Sequence, residues 1–263
     1  MKYSLAIAQV ASTKNVTANY ITLERLTLQA KQTSCQALCL PEAFLTGYSL
    51  SGLEQQSLTA DAAVLQKISR LAKVQGMDLL VGFQERLGQV YYLTQGIFLA
   101  SGERHFYRKT HLGQREALFF KAGGQLAVYQ LSCGLKIGIA LCVECHFPEL
   151  LQTLSLQGAQ VVFAPHAVPS KAGSRRIIWS KYIPARSYDN RLYMACCNQW
   201  DEQKFAGGCL VTNPEGEELC AYDGEGEKLI SFTVDEALLD GYRANSSMSR
   251  RYYPAFRRPE LYK

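Results

Sequence analysis

The chain has 263 residues, 48% of them hydrophobic and 19% charged, with 28 Lys and Arg against 23 Asp and Glu for a formal charge of +5. That apolar share excludes wholesale disorder, the length excludes a disulfide miniprotein, and no apolar run approaches the ~18 residues of a membrane helix. The basic excess is mild and scattered, with only the doublets Arg175-Arg176, Arg250-Arg251 and Arg257-Arg258, so no nucleic-acid partner is expected.

In chain order, residues 2–10 (KYSLAIAQV) read as a strand, and residues 17–31 as an amphipathic helix carrying Ile21, Leu23, Leu26, Leu28 and Ala30. Residues 37–40 read as a strand ended by Pro41, and residues 58–75 as a helix with Leu65, Ile68, Leu71 and Ala72 on one side. Strands are predicted at 78–83, 91–99, 126–131 and 135–141, the last two divided by a Ser132-Cys133-Gly134 turn. A helix at 150–156, a strand at 161–164, a helix at 177–191 and strands at 192–197, 208–212 and 229–234 complete the pattern. An Asn213-Pro214-Glu215-Gly216 turn precedes the last strand. This interleaving along the whole length predicts an α/β class, and no linker or repeat divides the chain, so residues 1–263 are expected to form one domain. The tail 241–263, rich in Arg, Tyr and Pro, fits no regular element and is expected at the surface or in an oligomer contact.

Nine cysteines are present, several inside apolar runs. The N-terminus reads as a first strand and not as a signal peptide, so most of these thiols are expected to be reduced and buried, in the cytoplasm.

Three polar side chains sit in or just after apolar β-type runs, where an α/β sheet presents residues to a crevice. Glu42 follows Leu38-Cys39-Leu40-Pro41; Lys109 lies in Phe106-Tyr107-Arg108-Lys109-Thr110-His111-Leu112; Cys142 follows Lys136-Ile137-Gly138-Ile139-Ala140-Leu141. A thiol, a carboxylate and an ammonium make a complete set for covalent hydrolysis. The thiolate attacks, the carboxylate moves the proton, and the ammonium stabilises an oxyanion.

The wording around these residues carries more. Pro41-Glu42-Ala43-Phe44-Leu45-Thr46-Gly47-Tyr48, then Tyr107-Arg108-Lys109-Thr110-His111-Leu112, then Cys142-Val143-Glu144 with Phe147-Pro148-Glu149 resemble, in order and spacing, the three signatures of the nitrilase (carbon-nitrogen hydrolase) superfamily. Glu116 with Phe119, Phe120 and Gly123-Gly124 resembles the segment after the family lysine. Ala185-Arg186 with Asp189-Asn190, and Phe205-Ala206-Gly207-Gly208 before the Asn213 turn, extend the likeness over about residues 3–236. The resemblance implies a four-layer α-β-β-α sandwich and a cofactor-free Glu-Lys-Cys site. Cys142 would be the nucleophile, Glu42 the general base and then acid. Lys109 and the Val143 N–H would hold the oxyanion, and Glu116 would position substrate and lysine. It also implies a small-molecule amide and water as reactants, without membrane or nucleic acid, in a homodimer or higher homo-oligomer.

Within the family, true nitrilases carry Trp after the cysteine. Val143 here favours an amidase on a small aliphatic or ω-carboxamide substrate, ahead of an N-carbamoyl amidohydrolase and a nitrilase. Outside it, Cys142-x-x-Cys145 has the spacing of a redox pair, and Cys145 could cap Cys142 as a disulfide. A non-catalytic binding protein is the remaining alternative. Cys142, Cys145 and His146 lack a second ligand pair, so no metal is expected. His146 and His166 are candidates to line the same crevice. Glu144 is expected to anchor the turn after the cysteine.

Overall fold

The near-continuous apolar runs are strands covered on both faces. The computed structural model describes residues 1–244 and 252–261. Among them, strands β1 (Lys2–Gln9), β2 (Ala37–Cys39), β3 (Asp78–Leu87), β4 (Val90–Phe98), β5 (Arg104–Arg108) and β12 (Lys228–Asp235) form one sheet, in the order β12-β1-β2-β3-β4-β5. Strands β6 (Tyr129–Gln130), β7 (Lys136–Ile139), β8 (Val161–His166), β9 (Tyr193–Asn198), β10 (Cys209–Thr212) and β11 (Glu218–Tyr222) form the second, in the order β11-β10-β9-β8-β7-β6.

The period of two along each strand sorts the side chains into layers. Leu5 and Ile7 of β1, Ile137 and Ile139 of β7, Val161 and Phe163 of β8, and Ala195 and Cys197 of β9 meet between the sheets. The intervening Ala6 and Ala8, with Leu38, Leu79 and Val81, face α1 (Val16–Gln32) and α3 (Ala63–Gln75) through Leu23, Leu26, Leu65 and Ile68. Val162, Ala164, Met194 and Cys196 face the other helical layer, α4 (Pro148–Leu156), α5 (Arg175–Trp179) and α6 (Ile183–Asn190), through Leu151, Leu154, Trp179 and Ile183. The result is the α-β-β-α sandwich expected from the resemblance. Among the described residues, no helix is long and apolar enough to cross a membrane.

Several elements differ from the sequence reading. The helix expected at 177–191 is two helices, because Pro184 occupies the first turn of α6 and cannot donate inside a continuous helix. The helix expected from 58 begins at Ala63; Leu58 instead bridges to Glu85, and a short helix α2 (Leu53–Gln56) precedes it. The strand expected at 126–131 shrinks to Tyr129–Gln130. β11 and α7 (Glu236–Ala244) were not foreseen, and α7 takes Gly241 to Ala244 out of the supposed irregular tail. Beyond it, Tyr253–Phe256 forms a 3-10 turn on the α4–α6 face, with Tyr252 OH 2.8 Å from Ser155 Oγ. Residues 245–251, with the Arg250-Arg251 doublet, and 262–263 lie outside the described residues.

Strand direction decides where the chemistry can gather. β1, β2 and β3 are parallel, and two antiparallel steps through β4 return β5 to their direction. β7, β8 and β9 are likewise parallel, and a parallel bridge from Val10 to Gln199 aligns β1 with β9 across the sheets. The C-terminal ends of β2, β5 and β7 therefore open at one end of the sandwich. Glu42, Lys109 and Cys142 each lie within three residues of those ends.

Candidate active site

Each of the three segments leaves its strand under constraint. After β2 the chain turns sharply at Glu42, with Ala43 at φ +52°. The turn lies on Gly82 of β3, where a Cβ would come within 2.5 Å of the Ala43 nitrogen and 2.6 Å of the Pro41 carbonyl oxygen. Only glycine lets the two backbones pass this closely. After β7, Cys142 sits at φ +51° and begins a 3-10 turn, Cys142–His146. A non-glycine residue held in this region costs about 1–3 kcal/mol, and such strain concentrates where a side chain must be aimed.

At the centre is Lys109, 1% exposed. Its Nζ donates to Glu42 Oε1 at 2.8 Å and to Glu116 Oε1 at 2.9 Å. Glu116, on a 3-10 turn (Glu116–Leu118), also accepts from Tyr48 OH at 2.9 Å and from the Gly113 N–H at 2.8 Å. The Glu42 main chain is fixed from the second sheet, since Gln199 Nε2 donates to the Glu42 carbonyl at 2.7 Å. Cys142 is half-buried and lies within electrostatic reach of Glu42, Lys109 and Glu116.

Burial sets the protonation behaviour. It pushes the Glu42 carboxyl up to about 7, against the pull of the Lys109 ammonium, with Glu116 adding to the rise. It pushes the Cys142 thiol up to about 12, with Glu42 adding to the rise and Lys109 opposing it. Burial works against the charge of Lys109 too, but Glu42, Cys142 and Glu116 hold it well above the usual lysine range. The resting site is therefore a neutral thiol beside an ammonium and a carboxylate that titrates near neutrality.

Glu144 ties the lysine segment to the cysteine turn. Fully buried, it accepts from the Leu141 N–H at 2.6 Å, from the N–H and hydroxyl of Thr110 at 2.6 Å each, and from Tyr107 OH at 2.9 Å. This is the anchoring expected of it, extended across two sheets.

A family model described as carbon-nitrogen hydrolase matches residues 4–244. The chain belongs to the carbon-nitrogen hydrolase family. It is thus an amidohydrolase of the nitrilase superfamily, acting on carbon-nitrogen bonds other than peptide bonds. A hydrolase encoded in the pqqF 5' region of Pseudomonas protegens is 33% identical, over 94% of this chain and 86% of its own length. The deaminated glutathione amidase of Mus musculus is 31% identical, over 98% and 84%. A solved variant of the amidase from Nesterenkonia sp. AN1 is 23% identical, with a TM-score of 0.83 over 98% of this chain and 95% of its own. That variant shows covalent addition of the acetamide moiety of fluoroacetamide at its active-site cysteine.

In this carbon-nitrogen hydrolase the two candidate histidines part ways. His166 is buried with both ring nitrogens engaged, Nδ1 with the Ala164 carbonyl at 2.7 Å and Nε2 accepting from Trp179 Nε1 at 3.3 Å. Burial pulls its pKa down to about 3, against the Ala164 bond, so it is a neutral brace behind Ala167. His146 is exposed, its ring tilted against Tyr182 with centroids 4.3 Å apart, and its carbonyl accepts from Arg186. Val143 is half-buried beside the cysteine. All nine cysteines are free thiols. Cys145 packs among Leu150, Leu151 and Trp179 in the helical layer, its thiol donating to the Ala140 carbonyl at 3.6 Å. Gln199, Arg175 and Tyr182 were not singled out from the sequence. Nothing marked Gln199 as an inter-sheet tie, and Arg175 was noted only as half of a basic doublet.

Proposed function

We propose that this carbon-nitrogen hydrolase cleaves the amide of a small molecule through a thioester on Cys142, releasing ammonia. The observation that carries the reading is the Glu42–Lys109–Glu116 bridge set beside a cysteine held at positive φ. Glu42 accepts the thiol proton as sulfur attacks the carbonyl carbon. With the thiol near 12 and the carboxyl near 7, proton transfer accompanies attack and does not precede it. Lys109 Nζ and the Val143 N–H hold the oxyanion. Protonated Glu42 then hands its proton to the departing nitrogen, which leaves as ammonia. Water, deprotonated by Glu42, attacks the thioester, and the thiol is restored as the acid departs. Glu116 keeps Lys109 charged and aimed.

The related deaminated glutathione amidase and the cysteine adduct in the Nesterenkonia amidase support this assignment of class and nucleophile. The test is ammonia release across short aliphatic amides, ω-amides, N-carbamoyl compounds and nitriles, with Cys142→Ala alongside. Release from an amide that is lost in Cys142→Ala, with an unchanged circular dichroism spectrum, is the expected result. Full turnover in Cys142→Ala would sink the assignment. A homodimer or higher assembly is part of the same proposal, and light scattering on the eluted protein tests it.

A further inference from the structure

Arg175 is a nearly buried cation without a carboxylate. It is 7% exposed and opens α5. Its stem lies on Gly208, where a Cβ would come within 2.8 Å of Arg175 Cβ, and Trp179 closes the same face. Nε and Nη2 donate to the carbonyls of Gly173 and Ala172, while Nη1 has no partner among the described residues. By contrast, Arg25, Arg108, Arg176 and Arg258, all more exposed, each pair with a glutamate.

The position is beside the cysteine turn, since Tyr182 packs against His146, four residues after Cys142. Ala167 follows His166, the last residue of β8, whose Nε2 accepts from Trp179 Nε1 one turn on from Arg175. The next residue, Val168, donates to Asn198 Oδ1 at 2.8 Å, and Asn198 Nδ2 donates to the Gly207 carbonyl at 2.9 Å, one residue before the glycine under Arg175. Cys142 and Tyr182 are both within electrostatic reach of the guanidinium. The Tyr182 hydroxyl has no partner among the described residues, and burial pushes its pKa up, so it stays a donor.

We propose that Arg175, with Tyr182 beside it, binds a carboxylate carried by the substrate, so that the enzyme acts on the ω-amides of short dicarboxylic acids. This rests on the reading of Cys142 as nucleophile and names the substrate class for it. Glu42, Glu116 and Glu144 outnumber Lys109 around the cysteine, so an anionic substrate needs a further cation, which Arg175 supplies. A guanidinium offers a planar fork that matches a carboxylate with two parallel hydrogen bonds. Burial with no counter-ion pulls Arg175 below the usual arginine range, a cost that a bound carboxylate offsets.

The experiment compares succinamate, glutaramate and adipamate with butanamide, pentanamide and hexanamide, which match them in length without the charge. Wild type, Arg175→Met, Arg175→Lys and Cys142→Ala are assayed together. Charge-assisted hydrogen bonds set the expected scale at about 10- to 100-fold. Wild type is expected to favour the best ω-amide over its neutral match by that factor in kcat/KM. Arg175→Met is expected to erase the preference mainly by raising KM for the ω-amide, and Arg175→Lys to recover part of it. Equal losses on charged and neutral amides would mean that Arg175 only braces the loop, and would overturn the proposal. So would ω-amides that are turned over no faster than their neutral matches, or not at all. Turnover retained in Cys142→Ala would instead overturn the nucleophile reading. Turnover lost there, with indifference to the carboxylate, overturns the Arg175 assignment alone.

Discussion

Glu42 and Glu144 are both buried carboxylates at the same end of the sandwich, yet they are wired differently. Glu144 is saturated: three backbone N–H groups and two hydroxyls converge on it from both sides of the site. Glu42 has one side-chain partner, Lys109, and its second oxygen accepts nothing among the described residues. A saturated buried carboxylate holds segments together, whereas an unsaturated one has capacity left to take a proton. On the proposed mechanism one fold uses the same side chain as rivet and as base, and the difference is the number of donors supplied.

That contrast can be broken most sharply at Glu42. Glu42→Gln keeps the shape and removes the base. Turnover is expected to fall about 10³- to 10⁴-fold, at the strong end of general-base effects, with the thermal midpoint unchanged or raised. Loss of stability on that scale would mean that Glu42 is a rivet too. Glu144→Ala reverses the pattern. Orphaning five donors is expected to cost about 3–5 kcal/mol in urea unfolding, with activity lost as a consequence of slack between Lys109 and Cys142. Preserved stability with lost activity would move Glu144 into the chemistry.

The pH response is smaller and has two signs. The folded-state pKa of Glu42 is raised from 4.5 to about 7. Turnover needs the carboxylate, so kcat/KM is expected to climb as pH rises through about 7. Stability runs the other way. Between 4.5 and 7 the folded protein holds a proton that the unfolded chain has released. The Glu42 contribution is therefore fully present below 4.5 and lost as pH rises through about 7. Subtracting the stability profile of Glu42→Gln isolates it, and a difference curve rising with pH would contradict the assignment. The smallest effect is expected from Tyr48→Phe, which removes one hydrogen bond to Glu116. About 1 kcal/mol of stability and a rate loss of about fivefold should follow, measured by unfolding and steady-state assays.

Most of the architecture was legible because the sandwich buries both faces of its strands, which leaves runs such as 161–164 unbroken by polar residues. What escaped were elements whose faces are half exposed. β11 alternates weakly, and α7 mixes Asp240 and Gly241 into its turns. The helix at 177–191 was read as one because its apolar spacing carries across the break, whereas Pro184 ends the continuity. The candidate site was legible through short phrases at strand ends, including Glu116, and strand direction explains why residues 100 apart converge. Arg175 was hidden because burial is a tertiary property. In the sequence it differs in nothing from Arg176, which sits on the surface paired with Glu218.

The central claim is that Cys142 carries the acyl group. Acid-quenched protein taken during turnover of an amide it accepts should show, by peptide mass spectrometry, an acyl thioester on the peptide containing Cys142. The adduct should be absent from Cys142→Ala, which should release no ammonia. Steady ammonia release with no adduct, continuing in Cys142→Ala, would contradict it.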